Sequence, residues 1–183
     1  MQSHIHTNQA CKFHTTPLTT EATQTRLCSL VLSRLDYFNS LLSGCPQYLL
    51  GRLQKVQNTA VTLVRKAEKS EYIHPILETL RWLPVTHHIQ YQISTIRFDS
   101  ISRTVPHYLS DHLQPYTPAR QLRSAFDTRA FVTPRVNTKT FGERSFSYAG
   151  PSVWNSLTQR LRKSDFSSSF KAALKTHLFN DHF

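Results

Sequence analysis

Two successive stretches of helical periodicity, separated by a glycine and a proline, constrain the fold of this chain most strongly. In the first stretch, apolar residues recur at spacings of three and four, at Leu27, Leu30, Val31, Leu35, Phe38, Leu41 and Leu42. In the second stretch they recur at Leu49, Leu53, Val56, Ala60, Leu63 and Ala67. Such spacing predicts two amphipathic helices. Gly44 suits the end of the first helix and Pro46 the first turn of the second, so we expect a helical hairpin.

The sequence after this hairpin predicts further packed helices, and therefore a mainly α-helical fold. We expect a short helix at 73–80, a long helix from Pro84 to about Ile101, and another short helix at 106–113. Apolar residues at the helical spacing should form the buried face of the long helix, namely Val85, Ile89, Ile93 and Ile96.

The pattern changes in the last third of the chain. Residues 129–133 and 139–141 are rich in β-forming types and are separated by Pro134, which predicts a small β-hairpin near 129–141. Two short helices are expected at 143–149 and 151–157. A C-terminal helix should begin after Asp165 and bury Phe166, Phe170, Ala173, Leu174 and Leu178, with Lys171 and Lys175 off that face.

These elements predict four segments along the chain. Residues 1–18 show no periodicity and are expected to form a disordered tail. Residues 19–114 should form a helical region. Residues 115–120 contain two prolines and should act as a linker. Residues 121–183 should form a basic α+β tail region.

The charge balance favours polyanionic partners. The 183 residues include 22 Lys and Arg against 11 Asp and Glu, giving a formal net charge of +11. Residues 119–183 hold 11 of the basic and only 4 of the acidic side chains. Such an excess favours nucleic acid, because binding releases condensed counterions. The alternative is a solvated basic surface without a specific partner. Membrane binding is disfavoured because the cations do not gather on one amphipathic helix.

The compartment is expected to be the nucleus or the cytoplasm. Residues 1–20 are polar and contain no apolar stretch of the kind that a signal peptide needs. The apolar runs are only a few residues long, so no transmembrane helix is predicted.

The sequence contains no recognisable catalytic, cofactor or metal site. Cys11, Cys28 and Cys45 are evenly spaced and match no zinc pattern, although Cys11 and His14 could form half of a site with a nearby histidine. A polymerase holds carboxylates together to bind two magnesium ions, yet no aspartate in this chain is adjacent to another acid. Only four glycines are present, and no Walker loop, dinucleotide fingerprint or nucleophile elbow occurs. We therefore expect a chain that is not an enzyme and has no cofactor.

Nucleic-acid contact has better candidates. Arginine binds phosphate bidentately, and aromatic side chains can stack on unpaired bases. The C-terminal third interleaves both types, with Phe126, Phe131, Phe141 and Phe146 among its cations; these phenylalanines could equally form a small core. The candidate contacts are Arg52, Lys55, Arg120, Arg123, Arg129, Arg135, Lys139 and Arg144.

Seven blocks in a fixed order carry a resemblance to a known family. They are SRLDYFNSLL at 33–42, LQKVQN at 53–58, WLPV at 82–85, YLSD at 108–111, FGERSF at 141–146, WNSL at 154–157 and FKAALKTHLF at 170–179. Their order and spacing resemble the thumb and post-polymerase region of reverse transcriptases from LINE-type, jockey-like non-LTR retrotransposons. The resemblance runs from about residue 18 to residue 183.

The resemblance implies a mostly helical, nucleic-acid-facing fragment of an RNA-directed DNA polymerase that does not itself catalyse. In this family the region is expected to hold RNA template and primer–template duplex, and no catalytic residue of the family is present to be carried over. Its partners would be RNA or DNA bound without sequence preference, and the missing polymerase core. Two alternatives remain open: a helical module that binds another helical protein through residues 20–67, and a translated relic without function.

Overall fold

The fold is mainly α-helical in the computed structural model, which describes residues 19–37, 39–65, 72–102, 104–111, 113–117, 129–138 and 141–182. The predicted fold class is thereby confirmed. The predicted disordered tail at 1–18 lies outside the described residues, as do positions 118–120 of the predicted linker.

The predicted N-terminal hairpin is present, but its first arm is not one regular helix. It consists of α1 (Thr20–Leu27), a π-helical segment (Cys28–Leu32), α2 (Ser33–Tyr37) and a 3₁₀ turn (Asn39–Leu42). Gly44 adopts a left-handed conformation with φ of 70°, where an L side chain would be strained. The second arm is α3 (Gln47–Arg65), and Leu49 N donates to Pro46 O across its first turn.

Three helices follow close to their predicted positions. They are α4 (Ile73–Leu80), α5 (Val85–Ile101) and α6 (His107–Asp111). On α5 the predicted residues Val85, Ile89 and Ile93 are buried, and Ile96 is half-buried. Pro84 sets the start of α5, because its fixed φ suits a helix start and it has no N–H to leave unpaired.

The C-terminal part contains α7 (Phe146–Ser156), α8 (Gln159–Arg162) and α9 (Ser167–His182). The prediction of two short helices at 143–149 and 151–157 is wrong, because α7 continues through Pro151. Gly150 has no Cβ, so the usual clash between a proline ring and the preceding side chain is reduced. Burial of Pro151 and Trp154 against α5 offsets the cost of about 3 kcal/mol for an internal proline.

The β-hairpin predicted near 129–141 is not confirmed. Phe131 forms an isolated antiparallel bridge with Pro115, the first residue of the predicted linker. Two backbone hydrogen bonds hold this bridge, from Tyr116 N to Ala130 O at 3.0 Å and from Val132 N to Gln114 O at 2.9 Å. Residues 139 and 140 of the second predicted arm lie outside the described residues.

One hydrophobic cluster joins the two predicted regions of the chain. Leu83 and Phe98, from the N-terminal region, pack with Trp154, Phe170 and Leu174. The Phe98 and Phe170 rings are stacked with centroids 4.5 Å apart. Residues from both sides of the predicted linker therefore share one core.

The buried face of α3 differs from the predicted apolar stripe. Ala60, Val61 and Val64 are buried, whereas Val56 is 53% exposed and Leu63 is 59% exposed. Relative to the predicted stripe, the buried face is shifted around the helix axis and includes the polar Gln57. Its Nε2 donates to Leu83 O at 2.9 Å. The N–H of Val85 donates to Gln54 Oε1 at 2.9 Å. The LQKVQN and WLPV blocks are thus in direct contact.

The C-terminal helix α9 buries a narrower set of residues than predicted. Phe170, Leu174 and Leu178 are buried as expected. Phe166 is 73% exposed, and Ala173 is also exposed, so both predictions are wrong. Phe166 precedes α9, where the chain has not yet entered the helical path that places every fourth residue against α5.

Candidate nucleic-acid interface

The structure describes five of the eight candidate nucleic-acid contacts, and these five differ in solvent exposure. Arg52 and Lys55 are exposed on α3, and Arg135 is exposed in the segment after the bridge at Phe131. Arg129 and Arg144 are half-buried. The remaining candidates, Arg120, Arg123 and Lys139, lie outside the described residues.

Arg129 binds within the protein. Its NH1 donates to Arg162 O at 2.9 Å and to Ser164 O at 2.7 Å, and its NH2 lies 3.3 Å from Asp165 Oδ1. The guanidinium therefore ties the segment at 129–131 to the turn between α8 and α9. Phosphate binding by Arg129 would require these contacts to break.

The WNSL block on α7 holds the same segment from the other side. Trp154 Nε1 donates to Arg129 O at 2.6 Å. Asn155 accepts from Phe131 N at 3.1 Å and donates through Nδ2 to Phe131 O at 2.8 Å. A tryptophan followed by an asparagine can thus bind one strand-like segment through both backbone groups of a residue, which gives these two side chains a structural role.

The structure separates the phenylalanines that had two interpretations. Phe131 packs against the cluster around Trp154, and Phe146 packs against the cluster formed by Val85, Ile89 and Ile93. Phe141 is 78% exposed. Phe126 lies outside the described residues. For Phe131 and Phe146 the core interpretation holds, whereas Phe141 remains available for stacking.

Arg144 packs against the turn of the helical hairpin. A Cβ at Gly44 would lie only 3.3 Å from the Arg144 Cγ. The Nε of Arg144 is buried and has no hydrogen-bond partner among the described residues. The FGERSF block therefore lies against Gly44, two residues after the SRLDYFNSLL block, through this side chain.

Arg97, on α5, is a buried cation that sequence periodicity did not single out. Its side chain is fully buried, and its Cζ lies 3.3 Å from the centroid of the Phe131 ring. None of its three guanidinium nitrogens has a hydrogen-bond partner within the described part of the chain. Burial lowers the pKa of Arg97 from its ordinary value to about 9. At neutral pH the folded chain thus holds a desolvated cation beneath an aromatic ring.

A second group of cations missed by the sequence analysis lines a cavity of about 280 Å³ between the α4–α5 connection and α9. We call it the Arg81 pocket, and define it by Gln57, Arg81, Trp82, His88, Tyr91 and Lys175. The residues that line it include three cationic or titratable side chains and two aromatic rings, and no described carboxylate.

Arg81 occupies an unusual backbone position in this pocket. It follows α4 with φ of 54° and ψ of 38°, the left-handed conformation at which glycine is usually found. The N–H of Trp82 donates to Leu77 O at 2.9 Å, which closes the helix end. A non-glycine residue in this conformation costs about 1–2 kcal/mol. The only sequence signal for it is an arginine where a helix end favours glycine.

No three His, Cys, Asp or Glu side chains among the described residues are placed to hold a metal ion. None of the described helices has both the length and the apolar character that a membrane crossing requires.

Comparison of the chain with protein-family models, with curated proteins and with solved structures finds no match.

Proposed function

We propose that this chain is a non-catalytic fragment of a LINE-type, jockey-like non-LTR retrotransposon reverse transcriptase that binds RNA or DNA without sequence preference. The observation that carries the binding proposal is the exposed, unpaired positive charge. Arg52, Lys55, Arg81, Arg135, Arg160 and Lys163 are all exposed. None of these six has an ion-pair partner among the described residues, where the salt bridges include Arg129–Asp165 and Lys171–Asp99.

The proposed family origin draws support from how the resembling blocks meet. LQKVQN binds WLPV through Gln54 and Gln57, and WNSL binds the segment at 129–131 through Trp154 and Asn155. Hydrogen bonds between residues far apart in the sequence stabilise the fold, which gives these side chains a structural role.

The proposal that the chain is not a polymerase rests on its acids, none of which adjoins another. The proposed location is the nucleus or cytoplasm, where RNA and DNA are present.

The binding proposal is tested with a labelled single-stranded oligonucleotide over a range of salt concentrations. Affinity should fall steeply from about 50 to about 200 mM salt, with a slope of about −0.7 for each phosphate contact. Replacing Arg52 and Lys55 by serine should reduce the salt dependence of the affinity by the equivalent of about two phosphate contacts. Arg97→Met is the matched control, because the cation it removes is buried and should not alter the slope.

Two results would contradict the proposal. Affinity that does not change with salt would remove the electrostatic basis of binding. Magnesium-dependent primer extension by the purified chain, abolished by replacing its own acids, would show that it is a polymerase.

The exposed side of α3 favours a second candidate function, binding of a helical protein such as the polymerase core. Val56 and Leu63 are two helical turns apart on the same side, and both are more than half exposed. An apolar stripe of this kind can lie against a partner helix. Binding to a protein that ignores salt and is lost on replacing Val56 and Leu63 by serine would support this function.

A further inference from the structure

The Arg81 pocket combines two features that ligand sites for nucleotides require. Arg81 and Lys175 supply positive charge, and neither has an ion-pair partner among the described residues. The half-buried Tyr91 supplies aromatic surface in the same cavity, and the buried Trp82 lies at its wall. His88 lies beside Tyr91, with the ring centroids 6.3 Å apart. A cavity of about 280 Å³ is near the lower end of the range for small-molecule sites, about 300–1,000 Å³.

The backbone at Arg81 is an independent observation that points to the same place. Non-glycine residues held in strained backbone conformations cluster at functional sites. Glycine would satisfy this helix end without that strain. The exposed position of Arg81 at the pocket leaves its guanidinium available to a ligand from solvent.

The charges select an anion as the ligand. Arg81 and Lys175 line the pocket, and its lining includes no described carboxylate. An arginine fork matches the oxygen geometry of a phosphate, and a lysine adds a point charge. The aromatic rings add a surface on which any base can stack without sequence preference.

We propose that the Arg81 pocket binds one nucleotide of a single-stranded nucleic acid, with the phosphate on Arg81 and Lys175 and the base against Tyr91. This inference rests on the proposed function, because it places one contact of a longer strand. The pocket then fixes the register of an unpaired strand at the junction of the α4–α5 connection with α9. The cations exposed elsewhere would contact the backbone of the same strand.

The test uses the full chain and a single-stranded oligouridine that carries one 4-thiouridine for photocrosslinking. The crosslink should map to Tyr91, Trp82 or His88. Arg81→Gly should lower affinity at least about tenfold and reduce the salt slope by about one contact. Since glycine relieves the left-handed strain, this variant should melt at the same or a higher temperature, so lost binding cannot be attributed to misfolding.

Two further variants separate the roles of charge and ring. Tyr91→Leu keeps an apolar side chain against the core, and should lower affinity at every salt concentration without changing the slope. Arg160→Ala is the control for charge, because it removes one exposed cation that does not line the pocket. It should leave the crosslink at the same residues.

The outcomes distinguish this inference from the proposed function. Salt-dependent binding with crosslinks outside the pocket, or a crosslink to Tyr91 that Arg81→Gly leaves undiminished, would overturn the pocket and leave general binding intact. No salt-dependent binding at all would overturn both. Uridine monophosphate is the final competitor: tighter binding of the free nucleotide than of the strand would overturn the strand as the ligand.

Discussion

Arg97 shows how a single side chain can work against the stability of the fold that buries it. Taking an ionised side chain out of water costs several kcal/mol. The Phe131 ring contributes about 2 kcal/mol through its cation–π contact, a typical value for a desolvated cation. Desolvation therefore exceeds the cation–π attraction, in agreement with the lowering of the Arg97 pKa to about 9.

Arg97→Met should accordingly raise the free energy of unfolding at pH 7, by about 1–4 kcal/mol. The gain should shrink as the pH rises above about 9, because the folded wild-type chain then releases a proton that the unfolded chain still binds. Each pH unit between about 9 and the ordinary pKa of an arginine therefore stabilises the wild type by about 1.4 kcal/mol. Urea titrations of both proteins at about pH 7 and pH 10 measure the difference.

Arg162→Met is the control for this prediction. Arg162 is also buried, but its Nε donates to Leu157 O at 3.0 Å. Its replacement leaves that carbonyl without this donor and should cost about 1–3 kcal/mol. Equal destabilisation by Arg97→Met and Arg162→Met would show that Arg97 has a stabilising partner and would contradict the argument.

Asn155 is the residue on which the path of the segment at 129–131 depends. Asn155→Ala removes both hydrogen bonds to the backbone of Phe131 and should lower the free energy of unfolding by about 1–3 kcal/mol. The amide of Phe131 should also exchange with solvent faster. Ser156→Ala is the control, because the Ser156 hydroxyl is exposed and donates only to Val153 O of its own helix. Unchanged exchange at Phe131 would contradict this role.

Predictability from the sequence differs between these residues for physical reasons. The exposure of Arg52, Lys55 and Arg135 follows from composition, since charged side chains are rarely buried. The internal contacts of Arg129 do not, because its acceptors lie in a turn more than thirty residues later. The Arg81 pocket was missed for the same reason: it forms only when α9 packs against α5.

At the level of elements, α5 and α3 show when hydrophobic periodicity is sufficient to predict the buried face of a helix. The face of α5 was predicted well because its apolar residues lie against neighbours on more than one side. On α3 the predicted Ala60 is buried, but Val56 and Leu63 are exposed, because Gln57 takes a buried position and donates to Leu83 O, 26 residues away. A hydrophobic pattern does not predict the burial of a polar side chain whose hydrogen-bond partner is a backbone group far away in the sequence. The same limit applies to α7, where Gly150 allows a helix to continue through Pro151.

The orientation of α3 makes a prediction that separates the observed face from the apolar stripe. Val56→Gln and Leu63→Gln should change the free energy of unfolding by less than about 0.5 kcal/mol, because both side chains are exposed. Val61→Ala and Val64→Ala should each cost about 2 kcal/mol, since they remove buried methyl groups and leave a cavity. Chemical denaturation of the four variants measures this. Larger losses of stability for Val56→Gln and Leu63→Gln than for Val61→Ala and Val64→Ala would support the stripe that the sequence predicted.

At the scale of the whole molecule, the shared core decides whether the two predicted regions can fold separately. Phe98 and Leu83 on one side pack against Trp154, Phe170 and Leu174 on the other. Each aromatic side chain buries about 150–250 Å², worth about 4–6 kcal/mol at 25 cal/mol per Å². The net stability of a domain is only about 5–15 kcal/mol. Loss of this interface therefore removes a large share of the stability.

Fragments 1–117 and 118–183 should consequently fail to fold alone. Each should bind a dye for exposed apolar surface and lack a cooperative thermal transition, and mixing the two should restore both properties of the whole chain. The control is the whole chain cleaved after folding within 118–128, which leaves both halves of the core in contact. A cooperative transition of fragment 1–117 near the melting temperature of the intact chain would show that Phe98 and Leu83 do not need α7 and α9.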